Sequence, residues 1–324
     1  MHGVIENIGR RAESWPANAP ALGLRQLRVA IVNNMPDAAL IATEHQFTRL
    51  LSMAGRGEAV VSLYHMPELP RGEAARAVLA TRYRPVDDLF RDETDALIVT
   101  GNEPRAARLD AEPYWPAMAR LIDWAANARK PSVWSCLAAH AAVLHLDGIE
   151  RRRLPQKVSG VLNSSVTAGR GLTDLPSRFA TCHSRLNEAP GDALLNRGYR
   201  IISEAPGGAV DAFSKTFAAP FLFLQGHPEY DADSLMREYR RDVGRYLNGT
   251  QATYPEMPQN YFDEATIFRM AQFRSRAEPE RDARLFELFP AAALRPGIET
   301  ELAQTASALF RSWFDSVLEY RLAG

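Results

Sequence analysis

The chain has 324 residues, of which 46% are hydrophobic and 24% charged, as in an ordinary folded enzyme with one large α/β domain and some additions. Its formal net charge of -1 provides no global field to recruit nucleic acid or an anionic membrane, so neither is expected as a partner. Two cysteines are too few for a disulfide framework, and the sequence predicts neither a secretory signal nor a membrane helix of ~20 apolar residues. We therefore expect a cytoplasmic protein.

The first part of the chain predicts a parallel sheet. Residues 1–24 are polar and contain Pro16 and Pro20, which argue against a helix, so they are predicted to form an N-terminal arm. From residue 25 onwards, nearly continuous apolar strands alternate with amphipathic helices, which is typical of βαβ units covered on both faces. Strands are predicted at 27–32, 59–66, 96–101 and 132–136, with helices near 40–51, 114–128 and 137–146.

The pattern changes after Gly148, where shorter strands follow one another. They are predicted at 158–162, 178–182, 199–203, 209–215 and 221–225, as mixed or antiparallel additions to the sheet. Helices are predicted at 231–247 and 298–322, whereas residues 249–297, which hold five prolines, are predicted to be irregular with one or two short helices. We therefore predict a main domain over 25–248 and a C-terminal extension, 249–324, that packs on the same domain.

Cys136 closes an apolar strand-like run and opens a helix-like one, which places a thiol at a predicted strand-to-helix turn. There, the unpaired N–H groups and the positive end of the helix favour the thiolate, the form that attacks carbonyl carbon. His227 follows another buried-looking strand, and Glu229 stands two residues on. Because open α/β sheets build their sites beyond the carboxyl ends of strands, Cys136, His227 and Glu229 form a candidate catalytic triad.

Simpler interpretations exist for each of these residues taken alone. A lone cysteine or histidine in an apolar context is usually a core residue, and a loop glutamate is usually a solvated charge. A metal site formed by His45, His140 and His183 is a further alternative, but no His-x-x-x-His or Cys-x-x-Cys pair supports it, so no metal is expected. The placement of both Cys136 and His227 after predicted strands favours the triad.

Several motifs then occur in one order along the chain. They are Val99-Thr100-Gly101, Cys136, Lys157-Val158-Ser159-Gly160-Val161, His183-Ser184-Arg185 and Gly226-His227-Pro228-Glu229-Tyr230-Asp231. In this combination the chain resembles the homoserine O-succinyltransferase family over residues 25–248. The resemblance implies an α/β fold similar to class I glutamine amidotransferases: a flavodoxin-like, mostly parallel sheet flanked by helices, with extra strands and a C-terminal helical extension.

The family acylates the hydroxyl of homoserine from an acyl-CoA through an acyl-cysteine intermediate. The resemblance therefore implies that Cys136 is the nucleophile, that His227 is the general base and that Glu229 orients it. It further implies acyl-CoA as a co-substrate with no bound cofactor, an amino acid with a hydroxyl as the acceptor, and a place in methionine biosynthesis.

Three further residues match positions that bind substrate in the family: Lys157, Ser184 and Arg241. An amino-acid acceptor brings a carboxylate, for which Arg241 offers a planar fork and Lys157 a point charge. Without the resemblance, Lys157 and Arg241 would be interpreted as solvated surface charges and Ser184 as a turn residue.

The loop after Gly101 departs from the family pattern, because it contains Arg105 and Arg108 where the family has a more apolar loop. That loop helps to select the acyl donor, so a succinyl or an acetyl donor is expected. Arg105 or Arg108 can pair with the free carboxylate of a succinyl group or with a phosphate of CoA, although either can equally be a solvated charge. Arg105 is retained as a candidate substrate-binding residue.

The favoured function is thus acyl transfer from succinyl-CoA or acetyl-CoA to homoserine or a similar amino acid. A glutamine amidotransferase or amidase with the same Cys-His-Glu chemistry is the first alternative, although such domains usually have glycines where Trp134 and Ala138 stand. A noncatalytic binding protein on this scaffold is the second. The apolar-faced C-terminal helix and the N-terminal arm lead us to expect a homodimer.

Overall fold

A computed structural model describes residues 5–6, 26–54, 59–167, 172 and 175–323. Most of the predicted N-terminal arm, 1–24, lies outside these residues. The described strands are β1 (Ile5–Glu6), β2 (Leu27–Val32), β3 (Ala59–His65), β4 (Arg84–Pro85), β5 (Ala96–Val99), β6 (Ser132–Ser135), β7 (Arg152–Val166), β8 (Arg178–Glu188), β9 (Arg200–Ala205), β10 (Ala209–Thr216) and β11 (Pro220–Leu224).

The described helices surround these strands, and 3-10 turns occur at Leu109–Ala111 and Ala283–Leu288. None of these helices is long and apolar enough to cross a membrane. They are α1 (Leu40–Ala54), α2 (Glu73–Arg82), α3 (Val86–Leu89), α4 (Trp115–Asn127), α5 (Leu137–Asp147), α6 (Gly191–Asn196), α7 (Ser234–Leu247), α8 (Glu264–Glu280) and α9 (Ile298–Ala323).

The eleven described strands form one sheet with two halves. Their order is β1-β3-β2-β5-β6-β11-β10-β9-β7-β8, with β4 paired to β3. The strands from β1 to β11 in this order pair in parallel, whereas β11, β10, β9, β7 and β8 pair antiparallel. The predicted fold class, a mostly parallel sheet with extra strands, is therefore confirmed.

Helices cover both faces of the parallel half, which explains why its central strands are nearly continuous in apolar residues, with Arg28 in β2 and Ser132 and Ser135 in β6 as exceptions. On one face, Trp134 packs with Leu121 of α4 and Val143 of α5. On the other face, Phe47 of α1 packs with Phe310 of α9. The C-terminal helix thus contributes directly to the main core.

The antiparallel half curves back towards the carboxyl edge of the parallel half. Cys182 of β8 forms an antiparallel bridge with His227, which follows β11, and its carbonyl accepts the His227 N–H at 2.7 Å. Residues far apart in the strand order therefore meet at the edge where β5, β6 and β11 end.

The segment 249–297 is more helical than its prolines suggested. Helix α8 is 17 residues long, and Asp263 caps it by accepting the Thr266 N–H at 2.7 Å. Pro279 falls in the last turn, where the loss of one N–H interrupts little of the helix, and Arg281 ends it in a left-handed conformation with φ 44°. The predicted number of one or two helices agrees with α8 and the 3-10 helix Ala283–Leu288, but the prediction that they are short was wrong for α8.

Candidate active site

Cys136 stands at the tight turn between β6 and α5. Its φ of 51° and ψ of -112° lie outside the regions favoured by non-glycine residues, and its N–H donates to the Leu224 carbonyl at 2.7 Å. Because Ser135 and Leu224 are register partners on neighbouring parallel strands, the residues after β6 and β11 emerge side by side. The turn points a half-exposed thiol outwards at the start of a helix whose first N–H groups have no partner within the helix.

The predicted triad comes together at this point. The Nδ1 atom of His227 lies 2.8 Å from Oε1 of Glu229, and the Ser135 hydroxyl donates to the same oxygen at 3.3 Å. Burial alone would lower the pKa of His227, but the adjacent Cys136 sulfur and the Glu229 carboxylate raise it well above its usual value. The surroundings of His227 therefore favour its protonated imidazolium form.

A second set of contacts fixes the loop that carries His227. The Gln225 side chain accepts from the Ala189 N–H at 2.7 Å and donates to the Val210 carbonyl at 2.7 Å, so its oxygen faces Nε2 of His140 at 3.0 Å. From the other side, Arg49 of α1 forms an ion pair with Asp231 at 2.9 Å. Sequence reasoning did not find these contacts, because they join different elements of the fold; the side-chain contacts of Gln225 alone reach from 15 residues away, for Val210, to 85, for His140.

A buried histidine–aspartate pair lies behind the same loop. His183 and Asp211 are both almost fully buried, with Nε2 and Oδ1 3.2 Å apart, and the Ser164 hydroxyl donates to Asp211 at 2.8 Å. Gly226 packs on this pair, since a Cβ at that position would stand 2.5 Å from Asp211 Oδ1. The pair supports the backbone before His227 and is closed to a ligand by Gly226.

The predicted substrate-binding residues Lys157, Ser184 and Arg241 meet on the opposite side of His227. We call the set Lys157, Ser184, Tyr230, Glu238, Arg241 and Asp242 the ionic cluster. Its centre is Glu238 of α7, which accepts a hydrogen bond from Ser184 and another from the Tyr230 hydroxyl at 2.6 Å. The Tyr230 ring stacks on the His227 imidazole with centroids 4.3 Å apart, which connects this cluster to the triad.

Asp242 pairs with both cations of the ionic cluster, and Glu238 supplies the second negative charge. Lys157 Nζ lies 2.8 Å from Asp242 Oδ2, and Arg241 donates to Oδ1 at 2.9 Å. Burial by itself would raise the pKa of Asp242, but the two cations lower it below its usual value. Glu238 and Asp242 lay in a predicted helix with many charges, and no pattern in the sequence distinguished them from surface residues.

On the other side of Cys136 lies the loop after β5, residues 100–114, which we call the β5 loop. Gly101 lies directly over the start of α5, because a Cβ there would stand 2.9 Å from the Leu137 nitrogen. The buried Glu112 shapes the loop by accepting the N–H groups of Arg105 and Ala106, both at 2.6 Å. The backbone around the Leu137 N–H is therefore kept open by a glycine.

The arginines of the β5 loop differ in their surroundings. The Arg105 side chain is exposed. Arg108 donates to Asp110 at 2.8 Å and to Glu150 at 3.2 Å, so its charge is already matched. Of the two candidates in the sequence, Arg105 is the one left for a ligand.

The remaining histidines do not converge. In the parts of the chain that the structure describes, no group of His, Cys, Asp and Glu side chains has the arrangement of a metal site. His140 is buried within the first turn of α5, and burial lowers its pKa to about 4, so it is neutral at physiological pH.

The homoserine O-succinyltransferase family model matches residues 15–321. A homoserine O-succinyltransferase of Rhodopseudomonas palustris is 49% identical over 296 residues, covering 90% of this chain and 89% of that protein. One from Bradyrhizobium japonicum is 43% identical over 314 residues, covering 94% and 96%.

Solved structures with a similar fold include a glutamine amidotransferase of Thermotoga maritima, with a TM-score of 0.51 and 14% identity over 93% of this chain and all of that one. Another, from Methylobacillus flagellatus, has a TM-score of 0.51 and 16% identity over 91% of this chain and 96% of that one. These likenesses concern the fold alone. The family resemblance in the sequence is confirmed by the relatives, and the chain belongs to the homoserine O-succinyltransferase family.

Proposed function

We propose that this protein transfers the succinyl group of succinyl-CoA to the hydroxyl of L-homoserine through a succinyl-cysteine intermediate. The observation that carries the proposal is the triad of Cys136, His227 and Glu229 at the strand-to-helix turn, in a chain that belongs to this family. The domain limits at residues 24 and 248, a homodimer and a cytoplasmic location remain predictions.

In the first half-reaction, the Cys136 thiolate attacks the thioester carbonyl carbon of succinyl-CoA. The carbonyl oxygen becomes an oxyanion next to the N–H of Leu137, which Gly101 leaves accessible. When the intermediate collapses, the bond to the CoA sulfur breaks, and the imidazolium of His227 gives its proton to that sulfur. Cys136 then carries the succinyl group, and His227 is neutral, as the next step requires.

In the second half-reaction, the homoserine hydroxyl loses its proton to His227 as its oxygen attacks the succinyl-cysteine carbonyl. The bond to the Cys136 sulfur then breaks, which regenerates the thiolate beside an imidazolium and releases O-succinylhomoserine. Glu229 holds Nδ1 of His227 throughout, so the other ring nitrogen is the one that exchanges the proton.

The ionic cluster is the proposed binding site for homoserine, because it offers both signs of charge beside His227. The α-carboxylate would pair with Lys157 and Arg241, and the α-ammonium with Glu238. These groups are now paired mainly with one another, so homoserine would bind by exchanging partners. Ser184 donates a hydrogen bond to Glu238, so it can hold that carboxylate in place while Glu238 changes partner.

Succinyl-CoA is the proposed co-substrate, with no cofactor held between turnovers. Arg105 is proposed to bind a phosphate of CoA, since an exposed guanidinium suits a charged group that remains partly solvated. An acetyl donor remains the alternative, which the experiment below separates.

The test is intact-protein mass spectrometry after incubation with succinyl-CoA or acetyl-CoA, followed by a chase with L-homoserine, L-serine or buffer. We expect a succinyl adduct that is absent from Cys136→Ala and discharged by homoserine. The matched control is Cys182→Ala, which removes the other, buried thiol and should leave the adduct intact. An adduct discharged equally fast by water would point to a hydrolase, and no adduct with either donor would overturn the proposal.

A further inference from the structure

Arg151, in the short segment between α5 and β7, differs from the other partly buried arginines of the site. It is half-buried, yet no carboxylate oxygen lies within 4 Å of its guanidinium among the described residues. None of its nitrogens is among the buried polar atoms without a partner, so the guanidinium remains accessible to a solute. By contrast, its neighbour Arg152 donates to Glu188 at 2.6 Å.

Contacts of neighbouring residues place Arg151 on the Cys136 side of the site. Arg152 donates to Glu188, and the next residue, Ala189, donates to the Gln225 oxygen that faces His140. The charge of Arg151 interacts with Cys136, with Tyr114 at the start of α4 and with Glu112 of the β5 loop, and it also acts on His140, one turn into α5. The ion pair of Arg108 and Glu150 ties the β5 loop to the residue before Arg151. This segment therefore closes the β5-loop side of the site.

Nearby acids do not neutralise Arg151. Glu112 directs one carboxylate oxygen to two backbone N–H groups at 2.6 Å, and Glu150 is engaged by Arg108. Burial consequently lowers the pKa of Arg151 instead of an ion pair raising it. A half-buried cation of this kind is an incomplete ion pair that an anionic ligand would complete.

We propose that Arg151 binds the free carboxylate of the succinyl group, in succinyl-CoA and in the succinyl-cysteine. This inference rests on the proposed function and makes Arg151 a residue that selects a dicarboxylic acyl group. The distal carboxyl carbon of an extended succinyl chain lies about 4 Å from the carbonyl carbon, given C–C bonds of about 1.5 Å. A carboxylate at that distance from the carbon bonded to the Cys136 sulfur would need a cation close to the nucleophile but not bonded to it, and no hydrogen bond joins Arg151 to Cys136 among the described residues.

The chemistry of the side chain fits this role. Guanidinium binds carboxylate through two parallel N–H···O bonds, which lysine cannot reproduce. Arg108, which is already paired, and Arg105, which is exposed, lack the partial burial that would make such a bond selective. The two charged parts of the donor would therefore bind different residues: a CoA phosphate would bind Arg105, and the acyl carboxylate would bind Arg151.

The experiment compares succinyl-CoA with butyryl-CoA, which has the same four-carbon chain without the carboxylate. Single-turnover formation of the acyl-Cys136 adduct is measured for wild type, Arg151→Gln, Arg151→Lys and the control Arg152→Gln, which changes the adjacent arginine that pairs with Glu188. In Arg151→Gln we expect the rate constant with succinyl-CoA, below saturation, to fall about 100-fold and that with butyryl-CoA to change less than about threefold. Arg151→Lys should recover only part of the loss, and Arg152→Gln should behave as wild type.

Equal losses with both thioesters would overturn the inference. They would show that Arg151 acts on the Cys136 nucleophile or binds the CoA part of the donor, which both thioesters share. An unchanged preference for succinyl-CoA in Arg151→Gln and Arg151→Lys would overturn it as well. The rate of Cys136 alkylation by iodoacetamide confirms that each variant retains a formed turn. If the wild type forms no adduct with any acyl-CoA, the proposed function fails first, which is a different result from adduct formation that does not depend on Arg151.

Discussion

The ionic cluster and the β5-loop side of the site differ in whether their charged side chains are already paired within the protein. In the ionic cluster, Lys157 and Arg241 are already paired with Asp242, and Glu238 is already hydrogen-bonded. On the β5-loop side, Arg151 has no such partner among the described residues. A ligand at the first site must displace existing partners, whereas a ligand at the second completes an unfinished pair. The first arrangement favours selectivity between acceptors, and the second favours capture of an anionic donor.

His227 serves both sides, so its loss should remove the difference between them. We expect His227→Gln to slow acylation of Cys136 and its discharge by homoserine by about 10⁴-fold each, because both steps need the same proton carrier. Rapid-quench measurements of the two half-reactions would check this. A large loss in only one half-reaction would show that another group carries the proton in the other.

Acid should destabilise the two sides over different pH ranges. Burial lowers the pKa of His140, on the β5-loop side, to about 4. In the unfolded chain this histidine binds a proton below pH ~6.5, whereas in the folded protein it does so only near pH 4. Stability should therefore fall by about 3 kcal/mol between pH 7 and pH 4 from this residue. Asp242 has a lowered pKa, so its contribution is present above its ordinary value near 3.8 and is lost only below it.

Urea unfolding of wild type and His140→Gln at pH 7, 5.5 and 4 would measure this difference. The free energy of unfolding should fall less steeply towards pH 4 in the variant, even if the variant is less stable at pH 7. Parallel slopes for the two proteins would show that His140 is not the source.

Glu238→Gln should affect only the acceptor step. The variant keeps the shape of the side chain and one acceptor oxygen, but it removes the charge that would meet the ammonium group and replaces the other acceptor with a donor. We expect discharge of the succinyl-cysteine by homoserine to slow about 100-fold, while its formation from succinyl-CoA changes less than about threefold. A matched loss in acylation would place Glu238 in the machinery common to both steps.

Arg241→Lys should have the smallest effect. The positive charge remains, but the planar fork that can hold a carboxylate is lost, so the KM for homoserine should rise about tenfold with little change in kcat. Steady-state kinetics with varied homoserine would check it. An unchanged KM would show that Arg241 acts only through its bond to Asp242.

Most strand positions in the parallel half were predictable, because strands buried on both faces have nearly continuous apolar sequences. The strand at 27–32 was predicted with its observed bounds, and Cys136 and His227 were located by the ends of such runs. The antiparallel half was harder: β7 spans Arg152–Val166 and is largely exposed at its start, so only its centre was predicted.

What sequence reasoning missed depends on contacts between distant elements. Glu238 and Arg151 resemble surface charges until the curvature of the sheet and the β5 loop bring them to the site. The same holds for Arg49, which reaches Asp231 from α1. The sequence shows which residues are charged, but only the tertiary structure shows which of these charges are paired.

The backbone at Cys136 has a consequence for how this position can change over time. A non-glycine residue with φ 51° and ψ -112° costs on the order of 1–3 kcal/mol, and the surrounding sheet and helix must supply that energy. Glycine would relieve the cost and abolish the chemistry, so folding and activity select for different residues here. A descendant released from its catalytic role would be expected to drift towards glycine at 136 and become more stable, which makes this single position a sequence marker of lost activity.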